Sequence, residues 1–125
     1  MKEISTRRIR PCLPEIDLNR VVEAVRGWQA DWDHGAGIRV HDDGLMQYTL
    51  TDSDSHHRFY AALVLGKTSL RCQLQAEEPA DLLAEVTMGA FVVHPETGLS
   101  EDASAVLQHL KQALAPRGFR FPDKP

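Results

Sequence analysis

The fold is decided by residues 36–77, AGIRVHDDGLMQYTLTDSDSHHRFYAALVLGKTSLRCQLQAE. Apolar and polar residues alternate along much of this stretch, which is typical of strands that bury one face. Groups of Gly, Asp and Ser residues interrupt the alternation at three places, and such groups favour turns. The stretch therefore predicts four antiparallel strands joined by three tight connections, an arrangement called a β-meander.

The register of the meander follows from these connections. A three-residue loop ending at left-handed Gly44 places Val40 opposite Met46, whereas a two-residue loop would send the apolar set to the other face. A loop at 52–55 and a type II′ turn at Gly66-Lys67 place the apolar side chains on the same face of the sheet as the three-residue loop does. The face predicted to be buried comprises Ile38, Val40, Met46, Tyr48, Leu50, Phe59, Ala61, Leu63, Leu70, Cys72 and Leu74.

An amphipathic helix is predicted on each side of the meander. The first runs from about Leu18 to Trp32 with Asp17 as its N-cap, and the last begins after Ser100 and stops at Pro116. In both helices apolar residues recur every three or four positions, which gives each a stripe to bury. The predicted class is α+β: an antiparallel four- to five-strand meander with N-terminal and C-terminal helices packed on one face.

Residues 79–93 allow two interpretations. Pro79 and Asp81 are typical of a first helical turn, whereas the β-branched and aromatic residues at 86–93 would suit a fifth strand. We favour a helix to about Met88 followed by an extended stretch.

Length and composition indicate one ordinary globular unit. The chain has 125 residues, of which 42% are hydrophobic and 26% charged, so a disordered chain is excluded. We expect a single domain over 1–125, in which 1–14 is an arm or edge segment and 116–125 is a C-terminal tail.

The charge of the chain limits its partners. A net charge of −4 argues against nucleic acid as the main partner, because phosphate binding needs a basic surface. Lys2, Arg7, Arg8 and Arg10 form one basic cluster, so nucleic-acid contact through this segment is a less favoured alternative.

The sequence predicts a cytoplasmic protein without membrane association. Its longest apolar runs, 61–65 and 90–93, are far shorter than the roughly 20 residues that span a bilayer, and the N-terminus has no apolar signal core. Cys12 and Cys72 lie far apart in sequence, which suggests reduced thiols. We expect Cys72 on the buried face and Cys12 at the surface.

A metal site is one hypothesis for chemistry. In the predicted meander, one end of the sheet gathers carboxylates and imidazoles, which suit a divalent transition metal or a general acid–base pair. No spacing such as H-E-x-x-H or paired C-x-x-C supports the site, and apart from a divalent metal no cofactor is expected. The candidate ligands are Asp31, Asp33, His34, Asp52, Asp54, His56 and His57.

An apolar strip on the other face of the sheet is the candidate interface. It comprises Leu45, Tyr60, Ala62 and Val64. Contiguous exposed apolar surface usually marks an interaction, and a symmetric homodimer is the simplest way to cover it. The alternative is that the C-terminal segment, through Phe119 and Phe121, covers the strip within the chain.

These observations favour a non-enzymatic protein-binding or interaction module, because no nucleophile elbow and no phosphate-binding glycine loop is present. The alternative is a small metal-dependent enzyme that uses the acidic, His-containing end of the sheet. In outline, a small acidic helix–meander–helix protein resembles the chaperones that escort secreted bacterial effectors. That resemblance implies a protein partner.

Overall fold

A computed structural model describes residues 2–28, 37–76, 91–95 and 97–121. The strands are β1 Lys2–Ser5, β2 Ile9–Arg10, β3 Glu15–Asp17, β4 Arg39–Gly44, β5 Gln47–Leu50, β6 Ser69–Leu74 and β7 Val92–His94. The helices are α1 Leu18–Arg26, α2 Ser53–Val64 and α3 Glu101–Leu114, with short 3-10 helices at Thr6–Arg8 and Ala115–Arg117. None of the described helices is long and apolar enough to cross a membrane.

Five strands form one mixed sheet in the order β1-β6-β4-β5-β2. The pairs β1/β6 and β4/β5 are antiparallel, whereas β4/β6 and β2/β5 are parallel. Strands β3 and β7 form a separate parallel pair. The α+β class is therefore confirmed, whereas the predicted antiparallel meander is correct only in part, because the five-strand sheet is mixed.

The sheet must be strongly curved. Strands β1 and β2 stand at opposite ends of the strand order, yet only Thr6–Arg8 connects them. The outer strands of a flat five-strand sheet would lie about 19 Å apart, whereas the link from Ser5 to Ile9 can span about 14 Å at most. Consistent with this curvature, the ammonium of Lys2 in β1 lies 5.3 Å from the ring centroid of Tyr48 in β5.

The predicted third strand is instead helix α2. Both alternating sets of residues from 59 to 64 are apolar, so a two-residue period could not separate a buried face from an exposed one. The pair Ala61-Ala62 favours a helix over a strand, and Asp54 suits a first helical turn. Because α2 replaces the strand, the helix–meander–helix outline on which the resemblance to effector chaperones rested is not present.

The end of α2 also explains Gly66. This glycine has a positive φ (+77°), as the predicted type II′ turn would also require, but it lies in a helix C-cap and not in a hairpin. The amide of Gly66 donates to the carbonyl of Leu63 at 3.1 Å, and that of Lys67 donates to Ala62 at 2.9 Å. This pair of bonds is the Schellman motif.

The β4–β5 hairpin has a tighter turn than predicted. Val40 pairs with Leu50, and Gly44 pairs with Gln47 across a bulge at Asp43. The predicted partner of Val40 was four residues nearer the turn. Since this shift is an even number of residues, Val40, Tyr48 and Leu50 stay on the predicted face, whereas Met46 now lies in the turn.

The core accordingly contains most of the predicted face. Ile38, Val40, Tyr48, Leu50, Phe59, Ala61, Leu70 and Cys72 are buried. Leu63 is half-buried, and Met46 and Leu74 are exposed, which corrects the prediction for these three residues.

The two predicted helices begin where their caps indicated. A carboxylate oxygen of Asp17 accepts from the amide of Asn19 at 3.0 Å, and the hydroxyl of Ser100 accepts from the amide of Ala103 at 3.1 Å. Helix α1 ends at Arg26, short of the predicted Trp32, which lies outside the described residues. The helix predicted at 79–88 also lies outside them, and β7 is the extended stretch expected after it.

Candidate functional site

His56 is a structural residue at the start of α2. Its Nε2 accepts hydrogen bonds from the amides of Cys12 at 2.9 Å and Leu13 at 3.2 Å. Because Nε2 must keep its lone pair for these bonds, the proton of the neutral ring sits on Nδ1, which donates to the carbonyl of Asp52 at 2.7 Å. Burial lowers the pKa of His56 from 6.5 to about 4, although the neighbouring Asp52 opposes that shift.

His57 repeats the arrangement one residue later. Its Nε2 accepts from the amide of Asp17 at 3.0 Å, and its Nδ1 donates to the carbonyl of Ser53 at 2.8 Å. Burial lowers the pKa of His57 as well, and the positive charge of Arg20 acts in the same direction. Together the two imidazoles fasten the segment 12–17 to α2.

This arrangement bears on the predicted metal site. Both nitrogens of His56 and of His57 are engaged by backbone groups, so neither ring offers a lone pair to a metal in this structure. The carboxylate of Asp52 lies 3.4 Å from the guanidinium of Arg39, and Asp54 pairs with Arg20. Within the described ranges, no three His, Cys, Asp or Glu side chains form a group that could hold a metal ion. The other candidate ligands, Asp31, Asp33 and His34, lie outside the described residues, and the metal site stays a prediction.

The two thiols and a buried phenol belong to the core. Cys12 was expected at the surface, but it is buried and its Sγ lies 3.2 Å from the carbonyl oxygen of Leu50, to which it donates. Cys72 is buried as predicted, and burial raises the pKa of its thiol to about 12. The hydroxyl of Tyr60 is buried without a hydrogen-bond partner in the described part of the chain, and burial raises its pKa. None of these groups is placed as a surface nucleophile.

The predicted apolar strip does not form. Because α2 is a helix, its residues do not alternate between two sheet faces, and both Tyr60 and Ala62 are fully buried. Val64 is half-buried, so of the four predicted interface residues only Leu45 is prominently exposed.

Aromatic residues from later in the chain contribute to the burial of Tyr60. The ring of Phe91 lies edge-on to Tyr60, with the two centroids 6.4 Å apart. Phe119 and Phe121 in turn contact Phe91, at centroid distances of 5.8 and 5.2 Å. The alternative in which the C-terminal segment covers this region thus describes the structure better than the exposed strip does.

The most exposed apolar residues form the turn of the β4–β5 hairpin. Leu45 is 97% exposed and Met46 is 61% exposed, and we call these two residues the tip. Both have positive φ angles, of 54° and 60°, as a type I′ turn requires. Asn and Gly are the residues that usually occupy such positions, and a left-handed backbone costs other residues roughly 1–2 kcal/mol each. Two large aliphatic side chains therefore stand in solvent on a backbone that disfavours them.

Arginine residues flank the tip. The guanidinium of Arg8 donates to the carbonyl of Met46 at 3.4 Å, and Arg10 forms an ion pair with Asp43 at 2.9 Å. Arg117 donates to the carbonyl of Arg7 at 3.0 Å. The basic cluster of the N-terminus is thus folded beside the tip, and Arg7 and Arg8 remain exposed.

A cleft of about 460 Å³ lies between the segment 13–17 and the first turns of α1 and α2. Its volume is within the range of about 300–1,000 Å³ that is common for binding pockets. In the cleft, the guanidinium of Arg20 donates to the hydroxyl of Ser53 at 2.8 Å and pairs with Asp54. The lining residues are Leu13, Pro14, Glu15, Asp17, Arg20, Ser53, His57 and His94.

The tip and the cleft were not predicted as sites. Of the residues that form them, only Leu45 and His57 were singled out for an interface or a ligand set, and each was placed in a different arrangement. No protein-family model and no curated protein matches this chain. The tip and the cleft are therefore described from its own residues.

Proposed function

We propose that this chain is a non-enzymatic protein-binding module and that the tip is its contact element. The observation that carries the proposal is the combination of exposure and backbone conformation at Leu45 and Met46. Exposure of two adjacent large aliphatic side chains is unfavourable in water, and their left-handed backbone adds a further cost. Neither feature helps the chain to fold, but both present apolar surface to a partner.

The aliphatic side chains of the tip and the net charge of the chain support a protein partner over nucleic acid. Leu45 and Met46 offer aliphatic surface, which suits an apolar pocket on a protein and not a phosphate backbone. The chain also carries a net charge of −4, which opposes the approach of a polyanion.

The histidine arrangement supports a non-enzymatic role. His56 and His57 were the imidazoles that suggested acid–base or metal chemistry, and both use their nitrogens to hold the segment 12–17 against α2. A catalytic use of either ring would first require these hydrogen bonds to break.

Site-specific photo-crosslinking tests the proposal. A benzoylphenylalanine residue replaces Leu45 in one variant and Gln108, on the exposed side of α3, in a control. Irradiation of cells that naturally contain the chain is expected to give a discrete adduct of higher mass from position 45 and none from position 108.

A competition experiment completes the test. Excess chain that keeps the tip but carries Leu13→Arg/Glu15→Arg in the cleft should suppress the adduct, because it competes with position 45 and offers no intact cleft of its own. The same chain with Leu45→Asn/Met46→Gly added should not suppress it, because that change keeps a type I′ turn but removes the apolar side chains. Equal labelling from both positions, or none from position 45, would rule the tip out as a contact element.

A further inference from the structure

We infer that the tip of one copy of this chain docks into the cleft of a second copy, so that molecules associate head to tail. This inference rests on the proposed function and names its partner. The two surfaces match in shape, because the tip is convex and the cleft is a concavity of about 460 Å³. They also match in polarity, since Leu13 and Pro14 line the cleft and can contact the aliphatic side chains of the tip.

The charges at the two ends are complementary. Beside the tip, Arg7 and Arg8 are exposed and form no ion pair with a carboxylate of the described residues. In the cleft, Glu15 is exposed and Asp17 lies two residues further on, while the positive charge of Arg20 is neutralised by Asp54. Near the tip, Asp43 pairs with Arg10 and the carboxylate of Asp42 interacts with the ammonium of Lys2, so Arg7 and Arg8 leave a net positive charge there. This basic end and the acidic end attract each other between copies and orient the approach.

The segment 7–17 produces this separation of charge. It begins beside the tip, where Arg8 contacts Met46, and β2 then runs parallel to β5. It ends along the cleft, where Glu15 and Asp17 are located. Its arginines therefore lie at the tip end of the molecule and its carboxylates at the cleft end.

The position of the two sites determines the kind of assembly. Strand β5 starts immediately after the tip, at Gln47, and its far end leads into α2, which contributes Ser53 and His57 to the cleft. The tip and the cleft thus lie at opposite ends of one strand, so a molecule cannot fill its own cleft with its own tip. A single tip-to-cleft contact leaves one tip and one cleft of the pair open, so further copies can add and build rings or open chains, in contrast to the symmetric homodimer that the sequence suggested.

Sedimentation velocity of two complementary variants tests the inference. Leu45→Asn/Met46→Gly removes the apolar tip and leaves the cleft intact. Leu13→Arg/Glu15→Arg places positive charge in the cleft, where it repels Arg7 and Arg8, and leaves the tip intact. Neither Leu13 nor Glu15 is buried, and circular dichroism of each variant verifies its fold.

Wild-type protein is expected to form species larger than a dimer as its concentration rises to about 1 mM, and less so at high salt. Each variant alone should associate at least about tenfold more weakly, because an anchor of the contact is lost. An equimolar mixture of the two should form a 1:1 dimer and nothing larger, since one functional tip meets one functional cleft.

Three outcomes would overturn the head-to-tail contact: wild-type protein that stays monomeric, a single variant that still assembles, or a mixture that does not pair. An adduct from position 45 with a different protein, found together with monomeric wild-type chain, would retain the binding function and reject only the second copy as partner.

Discussion

Replacement of His56 with leucine is expected to lower the free energy of unfolding by about 3 kcal/mol. The imidazole accepts from two backbone amides, those of Cys12 and Leu13, in the interior of the protein. A buried amide left without an acceptor costs roughly 1–3 kcal/mol, and leucine fills similar space but accepts no hydrogen bond. Urea unfolding at neutral pH measures the difference between the variant and the wild type.

Two other histidines provide graded controls. His57 accepts from a single amide, so His57→Leu should cost about half as much as His56→Leu. His109 is exposed on α3, and His109→Leu should change stability by less than about 0.5 kcal/mol. If His56→Leu were as mild as the His109 variant, the imidazole would not be holding the N-terminal segment.

Acidification from about pH 6.5 to pH 4 is expected to remove about 3 kcal/mol of stability through His56 alone. Burial lowers the pKa of this ring from 6.5 to about 4 in the folded state, so the unfolded chain binds the proton more tightly. The contribution of neutral His56 to the free energy of unfolding is therefore fully present above pH 6.5 and is lost as the pH falls toward 4. The loss amounts to about 1.4 kcal/mol per unit of pKa difference between the folded and unfolded states. The pKa of His57 is also lowered, which adds a loss in the same direction.

Unfolding free energies measured across this pH window check the expectation. The wild type should lose stability steeply between pH 6.5 and 4, whereas His56→Leu should show a shallower slope because one of the titrating groups is gone. Identical slopes for the two proteins would mean that His56 is not buried as a neutral ring.

Helix starts were predictable from the sequence because their signals are local. The side chains of Asp17 and Ser100 cap α1 and α3 within two or three residues of their own positions. The stripe of α3, from Ala103 to Leu114, repeats every three or four residues and is buried as that period requires.

The prediction of a third strand was wrong for an equally local reason. The residues from Phe59 to Val64 are all apolar, so the alternation test returned a buried face for any register. Helix propensity at Ala61-Ala62 and the acidic first turn were the better evidence. In the β4–β5 hairpin, by contrast, the predicted register was wrong but the predicted burial of Val40 and Leu50 was correct, because the error was an even number of residues.

The candidate sites were beyond sequence reasoning because distant segments build them. The bond between the amide of Cys12 and His56 joins residues that are 44 apart in the chain. The cleft likewise brings Glu15 near Ser53. The tip was missed because its turn carries leucine and methionine where asparagine and glycine would be expected.

The most direct test of this account is the urea unfolding of the Leu45→Asn/Met46→Gly variant beside the wild type. The central claim is that the exposed apolar side chains of the tip and its left-handed backbone serve contact with another molecule and do not stabilise the fold. The variant should be more stable by about 1–2 kcal/mol, because asparagine and glycine accept the left-handed backbone more readily. A variant less stable than the wild type by about 1 kcal/mol or more would show that the tip supports its own fold, and would contradict the account.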